Sequence, residues 1–169
     1  GRRSAPLPGQ GPALSQQKRA RGGHQQIVTV NTADSLGAVT KAVDVPATRF
    51  PAAGFPASDV HVLVPDGKPT KDNLVVRYHG RAGSTMRPIL LLAHLDVVAA
   101  NRSDWPRDPF TLHEENGFFY ARGASDDKAM ASMFVANLLR MKEEGFVPDR
   151  DIILALTADE GGGEAKGGA

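Results

Sequence analysis

The sequence has no cysteine, which excludes a disulfide framework, a thiolate metal site and a cysteine nucleophile. It has no apolar run near the roughly 18–20 residues of a membrane span. Charge of a single sign is also lacking, since 20 Lys+Arg stand against 19 Asp+Glu for a net charge of +1. That balance gives no reason to expect nucleic acid or an anionic membrane as a partner. No phosphate-loop order, no Gly-x-Gly-x-x-Gly between a strand and a helix, and no Gly-x-Ser-x-Gly elbow occurs. Nucleotide binding and serine hydrolysis therefore have no motif to rest on. Any metal must be held by His, Asp and Glu.

At 169 residues the chain has the length of one domain and can bury about two-thirds of its unfolded surface. Residues 1–23 are basic, contain proline and lack a signal-type apolar run. They read as a flexible leader, compatible with a cytoplasmic chain or with one exported to a periplasm after loss of a signal. Globular composition begins at His24, so the domain is expected over 24–169. Leu36, Val39, Val43 and Val45 recur near a helical period. Pro46 and Pro51 lack amide donors and predict that this helix ends near Val45. Val60, Val62 and Val64 predict a short strand within 57–65, and Leu74–Tyr78 predicts another.

The second half is more regular. Ile89–Leu92 is a continuous aliphatic run leading into Ala93-His94-Leu95-Asp96, the pattern of a strand buried on both faces. Phe118–Arg122 predicts a short strand. Ser125 as N-cap, Asp126 and Asp127 in the first turn, and Gly145 at the C-cap predict a helix. Its expected apolar stripe is Met130, Met133, Phe134, Leu138 and Met141. Asp151–Thr157 is a second aliphatic strand ending in Ala158-Asp159-Glu160. Strands alternating with a helix imply an α/β fold with a largely parallel sheet under helical cover.

Three clusters occupy comparable places. His94-Leu95-Asp96 ends one strand, Asp126-Asp127 opens the helix, and Asp159-Glu160 closes the next strand. Ligands of open α/β sheets gather at the carboxyl ends of the strands, where these clusters converge if both strands are parallel. His with carboxylates is a ligand set for zinc or a similar divalent ion. In His-x-Asp on a strand both side chains share a face, so the carboxylate is placed to orient the imidazole. The plain alternatives are helix-dipole stabilisation by Asp126-Asp127 and a polar strand end at Asp159-Glu160. His24, His61, His79 and His113 read as surface or internally satisfied groups.

The segments "LLLAHLDVVAANRSDWPRDPF", "NGFFYARGASDDKAMASMFVANLL" and "DIILALTADEGGG" occur in this order. Together they resemble the metallopeptidase family of aminoacylases and carboxypeptidase G, the dinuclear zinc exopeptidases. The matching features are a His-x-Asp strand, a Trp…Asp-Pro-Phe loop, a Gly-Arg-Gly-x-x-Asp-x-Lys-type helix start and an Asp-Glu strand end. The resemblance runs from about Gln25 to Gly163. It implies a three-layer, aminopeptidase-like α/β catalytic domain with a mostly parallel central sheet. It also implies hydrolysis of a peptide or N-acyl amide bond, with a small peptide or an N-acyl amino acid as substrate. Within it, His94 would bind one zinc ion, Asp126 would bridge two, Asp96 would orient His94, and Glu160 would be the general base.

This sequence departs from the family pattern in identifiable places. Gly161 stands where the family has a second, metal-binding Glu, and Ala121 replaces the Gly of "YGRG". The family's later Asp and His ligands and its lid or dimerisation domain follow segments that this sequence does not contain. The expectation is therefore the N-terminal part of a catalytic domain, holding one zinc ion weakly or none and not turning over substrate. The alternative is a non-catalytic module that keeps the fold. Two structural expectations follow. His94, Asp126 and Glu160 should lie within about 10 Å of a common point, and the strands at Ile89–Leu92 and Ile152–Leu156 should be central.

Overall fold

The two aliphatic strands pair side by side and organise everything else. The computed structural model describes residues 12–33 and 39–160. Its elements are α1 (Pro12–Val28), α2 (Val39–Ala52), β1 (Val60–Leu63), β2 (Asn73–Tyr78), β3 (Ile89–His94), β4 (His113–Glu115), β5 (Phe118–Tyr120), α3 (Lys128–Glu143) and β6 (Ile152–Thr157). The main sheet has the order β1-β2-β6-β3, and β4-β5 is a separate hairpin. β3 and β6 are parallel, with Leu91 opposite Leu154 and His94 opposite Thr157. β1–β2 and β2–β6 are antiparallel. The sheet is thus mixed, and the mostly parallel arrangement expected from the sequence is limited to the pair that carries the site.

The register shows which side is covered. Leu74, Val76, Leu154, Leu156 and Ala93 are buried and join Val43, Phe50, Val135 and Leu138 from α2 and α3 in one core. On the opposite face, Leu90 is 60% and Leu92 54% exposed. Among the described residues the helices cover one face only, so two of the three expected layers are present. The continuous aliphatic run of β3 predicted burial on both faces, but β3 is an edge strand here, and β6 holds the central position. At that centre, Leu154→Ala removes a fully buried side chain and is expected to cost about 3 kcal/mol, read as a lower urea midpoint at unchanged slope.

Three helix expectations need correction. The polar stretch expected as a leader to Gly23 contains most of α1, which buries His24, Ile27 and Val28 and packs on α3. Leu36 lies outside the described residues. α2 does not stop at Val45 but continues through Pro46 and Pro51. A proline inside a helix costs about 3 kcal/mol. Here the continuation buries Phe50, which meets Phe55 edge-on at 5.0 Å, and Phe55 meets Tyr78 at 5.2 Å. α3 starts at Lys128 with Asp127 as N-cap rather than Ser125. Its buried stripe is Lys128, Ala131, Ser132, Val135 and Leu138, while Met133 is 57% exposed.

The ends of these elements follow local chemistry. Gly145 is left-handed at φ 68° and closes α3 with bonds from Gly145 N–H to the Lys142 carbonyl and from Phe146 N–H to the Met141 carbonyl. Asn116 and Gly117, both at positive φ, form the two-residue turn of the β4–β5 hairpin. No helix among the described residues is long and apolar enough to cross a membrane.

Candidate functional site

Because β3 and β6 run in parallel, their carboxyl ends lie together and put His94 beside the turn that carries Glu160. Asp126, just ahead of α3, completes the approach. All three line one cleft of about 200 Å³, with Asp96, Arg122 and Ser125 among their neighbours. A larger groove of about 710 Å³ lies between the three helices. Its lining offers Gln16, Arg19, Arg49 and Arg140 but no imidazole, so the chemistry belongs to the smaller cleft.

The imidazole of His94 is held at both nitrogens. Nε2 lies 3.2 Å from Asp126 Oδ1, and Nδ1 lies 3.1 Å from the Asp96 carbonyl oxygen. The Asp96 carboxylate, expected to orient the ring, stands slightly farther off at 3.5 Å, so the main chain of Asp96 is the nearer holder. Burial pushes the His94 pKa down. The Asp96 charge, the Asp96 carbonyl and the Asp126 and Asp127 carboxylates outweigh it, and the net shift is upward. Stability from this group is therefore full below the ordinary value of 6.5 and lost as pH rises through the folded value. Asp127 occupies the N-cap position of α3, but its side chain makes no capping hydrogen bond there. Its Oδ2 accepts the His94 backbone N–H at 3.2 Å and so ties the helix start to the end of β3.

The Glu160 turn is clamped by residues that sequence reasoning missed. Asp159 sits at φ 71°, and its carboxylate meets the Lys71 ammonium at 3.4 Å with both side chains buried. Asn73 Oδ1 accepts the Ala158 N–H at 2.9 Å. The available signal was the polar triplet Lys71-Asp72-Asn73 leading into the aliphatic part of β2; all three are buried. Lys128 was likewise missed. Fully buried at the start of α3, it donates to the Val30 carbonyl at 2.7 Å. The other histidines lie away from the cleft. His24 packs edge-on against Phe119, His79 pairs with Asp59 at 2.9 Å, and His113 lies in β4.

The fit to a metal can be judged from the donors themselves. His94 and Asp126 are hydrogen-bonded to each other, and among the described residues no group of three or more His, Asp and Glu is placed to hold a metal ion. A zinc ion takes three or four protein ligands. The described donors alone do not make such a site, and Gly161 lies outside the described residues.

Residues 90–169 match the family model described as peptidase family M20/M25/M40. The succinyl-diaminopimelate desuccinylase of Paracoccus denitrificans is 33% identical over 132 residues, 78% of this chain and 31% of that protein. Human aminoacylase-1 is 36% identical over 84 residues, 49% of this chain and 21% of that protein. Human carnosine dipeptidase 1 shares the fold with a TM-score of 0.72 at 19% identity, covering 90% of this chain and 34% of the other. An M20 family metallo-carboxypeptidase from Sulfolobus solfataricus gives 0.66 at 16% identity, with 82% and 30% covered. The chain thus spans under a third of the length of these curated relatives. Residues 90–169, which hold His94, Asp96, Asp126 and Glu160, thus carry a peptidase M20 domain match.

Proposed function

We propose that the cleft is one wall of a hydrolytic site for peptide or N-acyl amide bonds, acting on small peptides or N-acyl amino acids. The observation that carries this reading is the convergence of His94, Asp126 and Glu160 on a single cleft. Glu160 is the proton carrier, taking a proton from the attacking water and giving it to the leaving nitrogen. His94 and Asp126 are the donors this chain contributes toward a metal, and Asp96 positions His94. Such hydrolysis is consistent with the names of the relatives, a desuccinylase and an aminoacylase.

With two donors from the described residues and glycine at position 161, the 169-residue chain is proposed to hold zinc weakly and not to turn over substrate by itself. A metal count by mass spectrometry, with hydrolysis of a panel of dipeptides and N-acyl amino acids, tests this. Less than one retained zinc ion per chain and no turnover are expected. The residual zinc affinity, read by competition with a chromophoric chelator, should fall in His94→Ala and in Asp126→Ala. Affinity unchanged in both variants would remove the assigned donors. Two tightly held zinc ions with turnover that disappears in Glu160→Ala would instead support hydrolysis and overturn the inactivity.

A further inference from the structure

We propose that Arg122 is a carboxylate anchor of this cleft, gripping a substrate that carries a free carboxylate; this rests on the hydrolytic reading above. Arg122 is the one lysine or arginine among the residues lining the cleft, which otherwise presents Asp96, Asp126 and Glu160. Its guanidinium lies over the Trp105 ring, 5.4 Å from the centroid. Its backbone N–H donates to the Pro109 carbonyl at 2.6 Å, and Arg102 Nη1 donates to the Trp105 carbonyl at 2.6 Å. The Trp105–Pro109 loop is thus a bracket that fixes the arginine from two sides. The residue after the arginine is a glycine that packs its backbone against Val97 and Lys128. Gly123 has φ +79°, and a Cβ there would come within 2.8 Å of Val97 Cγ1.

The arginine so fixed has donor capacity left over. Its Nε is buried and has no hydrogen-bond partner among the described residues. That atom is closed to solvent, so a ligand oxygen would meet the guanidinium at Nη1 and Nη2, which likewise have no hydrogen-bond partner among the described residues. The guanidinium fork matches a planar carboxylate in bidentate geometry. Three carboxylates line the same cleft, which favours a singly charged ligand group over a doubly charged phosphate. Peptides and N-acyl amino acids carry such a group at the carboxyl end, and dicarboxylic acyl groups carry one at the other end.

The test is binding, read on the full 169-residue chain by the Arg Nε–Hε and Trp105 indole signals in nitrogen-labelled protein. The probes are N-acetylalanine, N-acetylalaninamide, N-succinyl-alaninamide and acetate alone. The anchor requires that a carboxylate-bearing acyl amide move both signals, and that N-acetylalaninamide move neither. A response to N-acetylalanine places the carboxylate on the amino-acid side, and a response to N-succinyl-alaninamide places it on the acyl side. Arg122→Gln should abolish the Trp105 response. Arg122→Lys, which keeps the charge but loses the fork, should weaken binding by about tenfold. Equal responses to acid and amide, no response to either acid, or a response to acetate as strong as to the acyl amides would overturn the anchor. The comparison of acid with amide needs no variant and stands even if Arg122→Gln fails to fold. Turnover is not read, so binding at Arg122 supports the anchor whether or not the chain hydrolyses, while the hydrolytic reading fails separately if zinc affinity is unchanged in His94→Ala and Asp126→Ala.

Discussion

Replacing Leu90 and Leu92 together by lysine is expected to turn an associating chain into a monomer. Both leucines lie on the sheet face away from the helices, 60% and 54% exposed, and Leu63 lies on the same face at the opposite edge strand, 51% exposed. Between them, Val75, Ile153 and Ala155 are half-buried on that same face, so the patch is continuous across the sheet. β3 is also an edge, pairing only with β6 among the described residues. Apolar surface joined to open strand amides is the usual template for chain-to-chain pairing. The unaltered chain should therefore bind an apolar dye and sediment with a concentration-dependent average mass. In Leu90→Lys/Leu92→Lys the dye signal should fall and the mass should settle at one chain. The positions are exposed, so the fold should lose no more than about 1 kcal/mol. A monodisperse monomer without dye binding before any substitution would refute the expectation.

The strands, and the meeting of three polar groups in one cleft, were legible because their signals are local. Aliphatic runs marked β3 and β6, and polar groups at the run ends marked His94, Asp126 and Glu160. What could not be read depends on partners distant in the chain. Whether β3 is covered on one face or two is decided by which layers pack on the sheet, not by its own residues. α2 runs through two prolines because burying Phe50 among Phe55 and Tyr78 outweighs the local breaking signal. α1 is polar by composition, yet Arg19 reaches Glu143 on α3 at 2.9 Å, and Ile27 lies in the shared core. The supports of the site are the least legible of all. Lys71 meets Asp159 across 88 positions, and Lys128 meets Val30 across 98. A lysine in sequence reads as solvated surface, and only the fold reveals these as buried pins.

Lys128 should give the chain an unusual alkaline response. Burial pushes its ammonium down from 10.5 to about 8, with the Asp96 charge acting in the opposite direction. Below pH 8 both folded and unfolded chains are protonated here, and the folded state carries the whole cost of a buried charge. Between 8 and 10.5 the unfolded chain binds more protons at this position, so stability rises with pH. At about 1.4 kcal/mol per pH unit the full gain is on the order of 3 kcal/mol. Tyr78 sets the upper limit. Burial raises its phenol above 10.0, and the hydroxyl donates to the Phe146 carbonyl. The stability it contributes is full below pH 10 and is lost as pH rises further, because the unfolded chain ionises first. Urea midpoints measured from pH 7 to 11 should accordingly climb above pH 8, peak near pH 10 and then fall. Lys128→Met keeps the stem packed in the same space and removes the titrating group. Its midpoint should be flat between pH 8 and 10 while the fall above pH 10 persists. Parallel profiles for the two proteins across pH 8–10 would mean that the ammonium is not buried at the start of α3, and the support it gives to the Val30 carbonyl would go with it.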